Sequence, residues 1–148
     1  MGDELGDVTG IVYNAFGFYR ILPLTAVSAV KSASTDFPTV SFNSTGDCRG
    51  ITLGSYNAEN LNPESEHLPG VVDQIIEMMQ TPDVIFLQEV QDGSGPANDG
   101  VTSGNATLLA LSEGIEAKSG VLYDWVEVEP EDNLDGGAPG GNIRQAYL

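Results

Sequence analysis

Ile51-Thr-Leu-Gly-Ser-Tyr-Asn57-Ala-Glu-Asn-Leu61 and Pro82-Asp-Val-Ile-Phe-Leu-Gln-Glu89-Val90 decide how this chain folds. Each is an apolar run that stops on an oxygen-bearing side chain. Between them, Val71, Val72, Ile75, Ile76, Met78 and Met79 recur at helical spacing. Pro69 stands where a first-turn proline is tolerated, and Thr81-Pro82 ends the segment. The unit therefore reads strand over Ile51–Tyr56, polar loop over Asn57–Glu66, helix over Pro69–Met79 and strand over Asp83–Val90. The second strand is apolar almost throughout, which predicts burial on both faces. Two strands joined in this way lie side by side, so Asn57 and Glu89 come to the same sheet edge. A neutral carbonyl oxygen and a carboxylate are hard donors, of the kind that holds Mg²⁺ while the ion keeps several waters.

Further along, Thr102 or Ser103 is placed to cap a helix running to about Lys118, with Leu108, Leu109, Leu111 and Ile115 on its apolar side and Gly120 after it. Val121–Val128 reads as a strand. The glycine-rich loop Glu129–Gly141 leads to a last strand, Ile143–Leu148. Near the start, Ile11, Tyr13 and the run from Phe18 to Leu22 predict two short strands joined around Asn14-Ala-Phe-Gly17. Thr25–Gly50 is rich in Ser and Thr and reads as a linker. The expected organisation is residues 1–25, a linker over 26–50, and a larger region over 51–148.

The chain has 148 residues, 41% of them apolar, and carries 22 Asp and Glu against 5 Lys and Arg, for a formal charge of −17. That balance opposes a simple phosphate-binding surface, because nucleic-acid binding needs a basic face; a bound divalent cation would reverse the sign locally. No apolar run approaches the roughly 20 residues of a membrane helix, so no membrane partner is expected. The single cysteine, Cys48, reads either as a free thiol or as half of a bridge to a cysteine beyond this chain. Asn43-Ser-Thr45 and Asn105-Ala-Thr107 fit the glycosylation sequon and hint at an extracellular setting. Met1-Gly-Asp-Glu-Leu has neither the basic start nor the apolar core of a signal peptide, so a secreted parent is expected to begin earlier.

The segments Ser55-Tyr-Asn-Ala-Glu-Asn-Leu61 and Pro82-Asp-Val-Ile-Phe-Leu-Gln-Glu89 resemble the first two motifs of the endonuclease/exonuclease/phosphatase superfamily, the metal-dependent phosphodiesterases of the exonuclease III and pancreatic deoxyribonuclease type. Gly140-Gly-Asn-Ile-Arg144 is similar to a stretch of its extracellular nuclease branch. Residues 8–24 resemble the closing hairpin of the small β domain that precedes the catalytic domain there. The resemblance implies an α/β fold: the N-terminal half of a four-layer α/β sandwich, preceded by the tail of a small β domain, with a missing C-terminal half-domain needed to complete it. It implies a Mg²⁺- or Mn²⁺-dependent endonuclease acting on DNA or RNA. Asn57 and Glu89 would be catalytic and metal-holding, and Asn142 and Arg144 substrate-binding, with the Arg144 guanidinium shaped to fork a phosphate. Two alternatives stand beside it: a phosphodiesterase or phosphatase of the same superfamily acting on a lipid or inositol phosphate, and a non-catalytic truncated product.

The superfamily's Asp-x-Asn motif and its Asp-His pair have no counterpart in these residues, so this chain is expected to be inactive alone. His67, the only histidine, reads as a solvated first-turn residue, and Asp92 and Asp99 as turn residues.

Overall fold

A computed structural model describes residues 3–33, 39–41, 44–47, 49–134 and 140–148. Cys48 and Asn43 lie outside the described residues. The chain divides into two compact units, Met1–Phe37 and Pro38–Leu148.

In the first unit, β2 (Gly10–Ala15) and β3 (Phe18–Pro23) form an antiparallel hairpin. Phe16 and Gly17 both have positive φ, 53° and 80°. That is the signature of the two-residue turn whose twist matches the flanking strands, and Gly17 adopts it without steric cost. β1 (Glu4–Leu5) pairs with β4 (Ala29–Lys31), and Lys31 Nζ reaches Glu4 Oε1 at 3.2 Å. β4 falls within the residues expected to be linker. The Ser/Thr-rich composition hid a three-residue strand whose partner is 24 or more positions away.

The second unit is a mixed sheet packed on helices. β5 (Leu53–Leu61), β6 (Val84–Val90), β7 (Val126–Glu127) and β8 (Arg144–Tyr147) lie in the order β5-β6-β8-β7. The β5/β6 pair is parallel, as the intervening helix requires, and β8 is antiparallel to both of its neighbours. The chain is therefore of the α/β class. Among the described residues, no helix is long and apolar enough to cross a membrane.

One face of the sheet is covered. Ile85, Leu87, Val90 and Ala146 are buried against Val71, Val72, Ile75, Leu108, Leu111 and Ile115. Each large side chain so buried contributes about 1.5–3 kcal/mol. The expected double coverage of the second strand does not hold: Val84 is 37% exposed and Tyr147 50%, and Phe86 packs on Tyr147 with ring centroids 5.1 Å apart. Burial along β6 alternates instead, and its outward apolar residues Val84 and Phe86 are only partly covered by the described residues.

Asp83 fastens the start of this sheet. Its Oδ2 accepts from the Thr52 amide and hydroxyl, both at 2.8 Å, and its Oδ1 accepts from the Ser44 hydroxyl. These donors, Ser44 first, hold its carboxyl below the usual carboxylate range.

α1 (Leu68–Asp73) begins with Pro69 in its first turn and passes into a π-helical turn, Gln74–Met78. The Met79 amide donates to Gln74 O at 3.0 Å, and Gln80 and Thr81 leave in left-handed conformation. α2 (Asn105–Ser119) ends at Gly120, whose φ is 76°. Neither Thr102 nor Ser103 caps it; the N-cap is Gly104. The strand expected over Val121–Val128 is reduced to β7, because Tyr123 is bonded to α2 rather than to a strand. Its amide and its carbonyl both meet the Ser112 hydroxyl, at 3.2 and 2.7 Å.

Two measurements test this packing. A Cβ at Gly114 would stand 2.9 Å from Val72 Cγ2, so Gly114→Leu is expected to destabilise the unit by about 1–3 kcal/mol in urea melts, while exposed Glu113→Ala stays near neutral. Burial, with the nearby charge of Asp83 adding to it, pushes the Tyr123 phenol up to about 12, and its hydroxyl donates to Pro82 O at 2.5 Å. The folded state thus keeps a proton that the unfolded state loses near pH 10. This stability is whole below pH 10 and is lost as pH rises toward 12. Tyr123→Phe should flatten the loss of stability over that window and cost about 1 kcal/mol at neutral pH.

Candidate active site

The parallel register places Tyr56 beside Leu87 and Asn57 beside Gln88, so Asn57 and Glu89 meet at the C-terminal ends of adjacent strands. Asn57 Nδ2 donates to Glu89 Oε1 at 2.8 Å. The two residues singled out from the sequence are in direct contact across 32 positions of chain.

Both strands are distorted at this level. β5 does not stop at Asn57 but continues to Leu61 through Glu59 and Asn60, which have φ of 53° and 57°. On β6, Glu89 has a φ of 58°, and the pairing resumes at Leu61↔Val90. A glutamate in this conformation costs on the order of 1–2 kcal/mol. Such strain persists only where the surroundings enforce it, and it gathers at functional sites. Asn57 Oδ1 accepts from the Glu59 amide at 2.9 Å, so the local turn bond of a strand-closing Asn is also present. One side chain shapes the distortion with its oxygen and meets Glu89 with its nitrogen.

A cavity of about 520 Å³ lies beside the pair, bounded by Gln88, Val128, Glu129, Pro130, Ile143, Arg144, Gln145 and Tyr147 as well as Asn57 and Glu89. Two carboxylates, Glu89 and Glu129, border it. A larger and more apolar groove, about 670 Å³, runs along the opposite end of β5 past Ile51, Leu53 and Met79, away from these oxygens.

Arg144 is not a free phosphate fork. Its side chain is 2% exposed, its Nη1 donates to Glu127 Oε2 at 2.7 Å, and its Nη2 donates to Asn142 O at 2.8 Å. Glu127 is equally committed, since its two oxygens also accept from the Gly104 amide at 3.0 and 3.1 Å. The carboxylate thus satisfies the start of α2 in place of a Ser or Thr cap. Arg144 Nε is buried and has no partner among the described residues.

Asn142 is likewise inside the protein. It is 1% exposed, with Nδ2 near Asp92 Oδ2 (3.0 Å), Val101 O (2.7 Å) and Asp132 Oδ1 (3.2 Å), while Oδ1 accepts from the Asn133 amide at 2.8 Å. Its substrate-binding assignment is therefore corrected: its side chain joins two loops, and its carbonyl positions Arg144. The glycine-rich sequence signalled a tight loop but not that its polar residues are consumed internally.

Asp92 and Asp99 behave as turn residues. Asp92 Oδ1 accepts from the Ser94 amide at 2.9 Å, and Asp99 Oδ1 from the Val101 amide at 3.0 Å. His67 is exposed at the start of α1, as its solvated first-turn reading expects, and its Nε2 lies 3.0 Å from the carbonyl of Ala58, the residue after Asn57. Glu129 was missed altogether, because a loop carboxylate 40 positions from Glu89 carries no local signal. No family model, no curated protein and no solved structure matches this chain.

The buried pair gives the test of this arrangement. Arg144→Met leaves the Glu127 carboxylate buried and unpaired, and should destabilise by about 3–5 kcal/mol. Adding Glu127→Gln, which keeps an acceptor for the Gly104 amide, should recover part of that loss in denaturant melts.

Proposed function

We propose that this chain supplies two metal-holding residues, Asn57 and Glu89, to a divalent-metal-dependent phosphodiesterase, an extracellular endonuclease that hydrolyses DNA or RNA. The observation that carries this reading is their contact at 2.8 Å across adjacent parallel strand ends, at a distorted backbone and beside an open cavity. In this reading the mixed sheet and its helices are the N-terminal half of a four-layer sandwich, and the first unit is the tail of a preceding β domain.

The residue types suit Mg²⁺ or Mn²⁺. Glu89 uses one carboxylate oxygen toward Asn57, which leaves the other for a cation. Asn57 meets Glu89 through its nitrogen and its Oδ1 accepts from the Glu59 amide, so it would reach a largely hydrated ion through that oxygen's second lone pair or a bound water. When bound, the ion would supply charge stabilisation at the scissile phosphate. Glu89 would hold it as a carboxylate. Asn57 would orient Glu89 and, through its turn bond to Glu59, keep both strand ends in place. Arg144, tied to Glu127, would shape the cavity wall rather than fork a phosphate. The acidic border of the cavity attracts a cation first, and a phosphodiester only once the cation is present.

The superfamily's Asp-His pair is absent from these residues, so no group here fills the role of general base; His67 is turned toward the Ala58 carbonyl. The chain by itself should therefore bind Mn²⁺ weakly and leave plasmid DNA and RNA uncut. Paramagnetic broadening by Mn²⁺ should centre on Asn57, Gln88 and Glu89 and vanish in Glu89→Gln. Broadening centred elsewhere and insensitive to that change would overturn the metal assignment. Repurified wild-type chain that nicks plasmid, with the activity lost in Glu89→Ala, would overturn the claim that the residues of this chain are insufficient.

A further inference from the structure

Asn105-Ala-Thr107 is unused by the functional reading, and the structure gives it a particular setting. Asn105 is the first residue of α2 and is exposed. Its Nδ2 donates to Ser103 Oγ at 2.9 Å, and its Oδ1 accepts from Trp125 Nε1 at 2.9 Å. An amide nitrogen carries two hydrogens, and this contact uses one of them. An N-glycosidic bond replaces one amide hydrogen and leaves the carbonyl oxygen untouched. The bond from Trp125 is therefore untouched by glycosylation, and the bond to Ser103 is kept when the remaining amide hydrogen is the one that faces its Oγ. Leu109, one helical turn on along the same face, is 43% exposed, an apolar surface that a first sugar ring would cover.

We propose that Asn105 is an N-linked glycosylation site. In the transfer, the anomeric carbon of a lipid-linked oligosaccharide diphosphate forms a bond to Nδ2. The bond from that carbon to the diphosphate oxygen breaks, with its electron pair leaving on the lipid diphosphate, and the displaced amide hydrogen departs as a proton.

Thr107 sets the order of events. It is fully buried, and its hydroxyl lies 3.1 Å from both Gln91 O and Asp92 O. In the folded protein that hydroxyl is withdrawn from any transferase that must read the triplet. The glycan is added before α2 docks, and the finished fold then holds the site closed to further reaction. The sole tryptophan, Trp125, stays bonded to the modified side chain.

This proposal shares with the functional reading only passage through the secretory route. Supplying a signal sequence removes that dependence, so an absence of nuclease activity leaves it untouched. The test is expression of the full chain behind a cleavable signal in a yeast host, together with a reporter glycoprotein. Intact mass is measured, and peptides are mapped after enzymatic glycan release in heavy-oxygen water, in secreted and cell-associated pools alike. The expected result is a glycan on Asn105 that converts it to labelled Asp on release, is lost in Asn105→Asp, and is retained in Thr107→Ser. Chain bearing unmodified Asn105 while the reporter is glycosylated would overturn the proposal. So would efficient modification of pre-folded, bacterially produced chain by microsomes prepared from that yeast host, since that contradicts the required order.

Discussion

The parallel pairing of β5 and β6 is the constraint from which the rest of the second unit follows. Two parallel strands cannot be joined by a tight turn, so the chain must cross over, and α1 with its π-helical extension makes that crossing. The crossing buries Val71, Val72 and Ile75 against Ile85 and Leu87. It also sends both strand ends the same way, which is why Asn57 and Glu89 meet. Asp83 holds the opposite end of the pair through Thr52 and Ser44. With the strand starts fixed there, a slip of one residue would turn the buried face of β6 outward, and the contact of Asn57 with Glu89 would be lost.

Glu127 plays the corresponding part on the other side of the sheet. It stands between the buried Arg144 guanidinium and the free amide at the start of α2. A buried ion pair gains little net stability once desolvation is counted, and breaking it is costly. Its consequence here is geometric: it ties β7, β8 and α2 to one point and sets the wall of the cavity beside Glu89. The Asn142 carbonyl completes that arrangement by accepting from Arg144. Arginine at this position therefore serves the architecture of the site before any ligand arrives.

The surplus of acid over base fits the same picture. The cavity beside Asn57 is bordered by carboxylates, and the cation in its wall is already neutralised by Glu127. On the proposed reading, such a site would attract a divalent cation and repel a bare phosphate. Substrate and metal would then make sequential demands on one set of oxygens.

The sequence by itself determined the strand–helix–strand unit, the first hairpin, the long helix over Asn105–Ser119 and the meeting of Asn57 with Glu89. All of these rest on local periodicity and on the reach of one crossover, which neighbouring residues encode. Tertiary structure alone decided the rest. Val121–Val128 has the composition of a strand, but Ser112 captures Tyr123 and leaves only Val126–Glu127 to pair. β4 forms because Glu4 and Leu5 offer it an edge, not because its own residues demand it. Gly140-Gly-Asn-Ile-Arg144 reads as an exposed loop leading to a free guanidinium, yet Asn142 and Arg144 are consumed by partners 10 to 50 positions away. A buried polar side chain must find its hydrogen bonds wherever the fold brings them. Those partners are set by how elements pack, and no local pattern of residues records them.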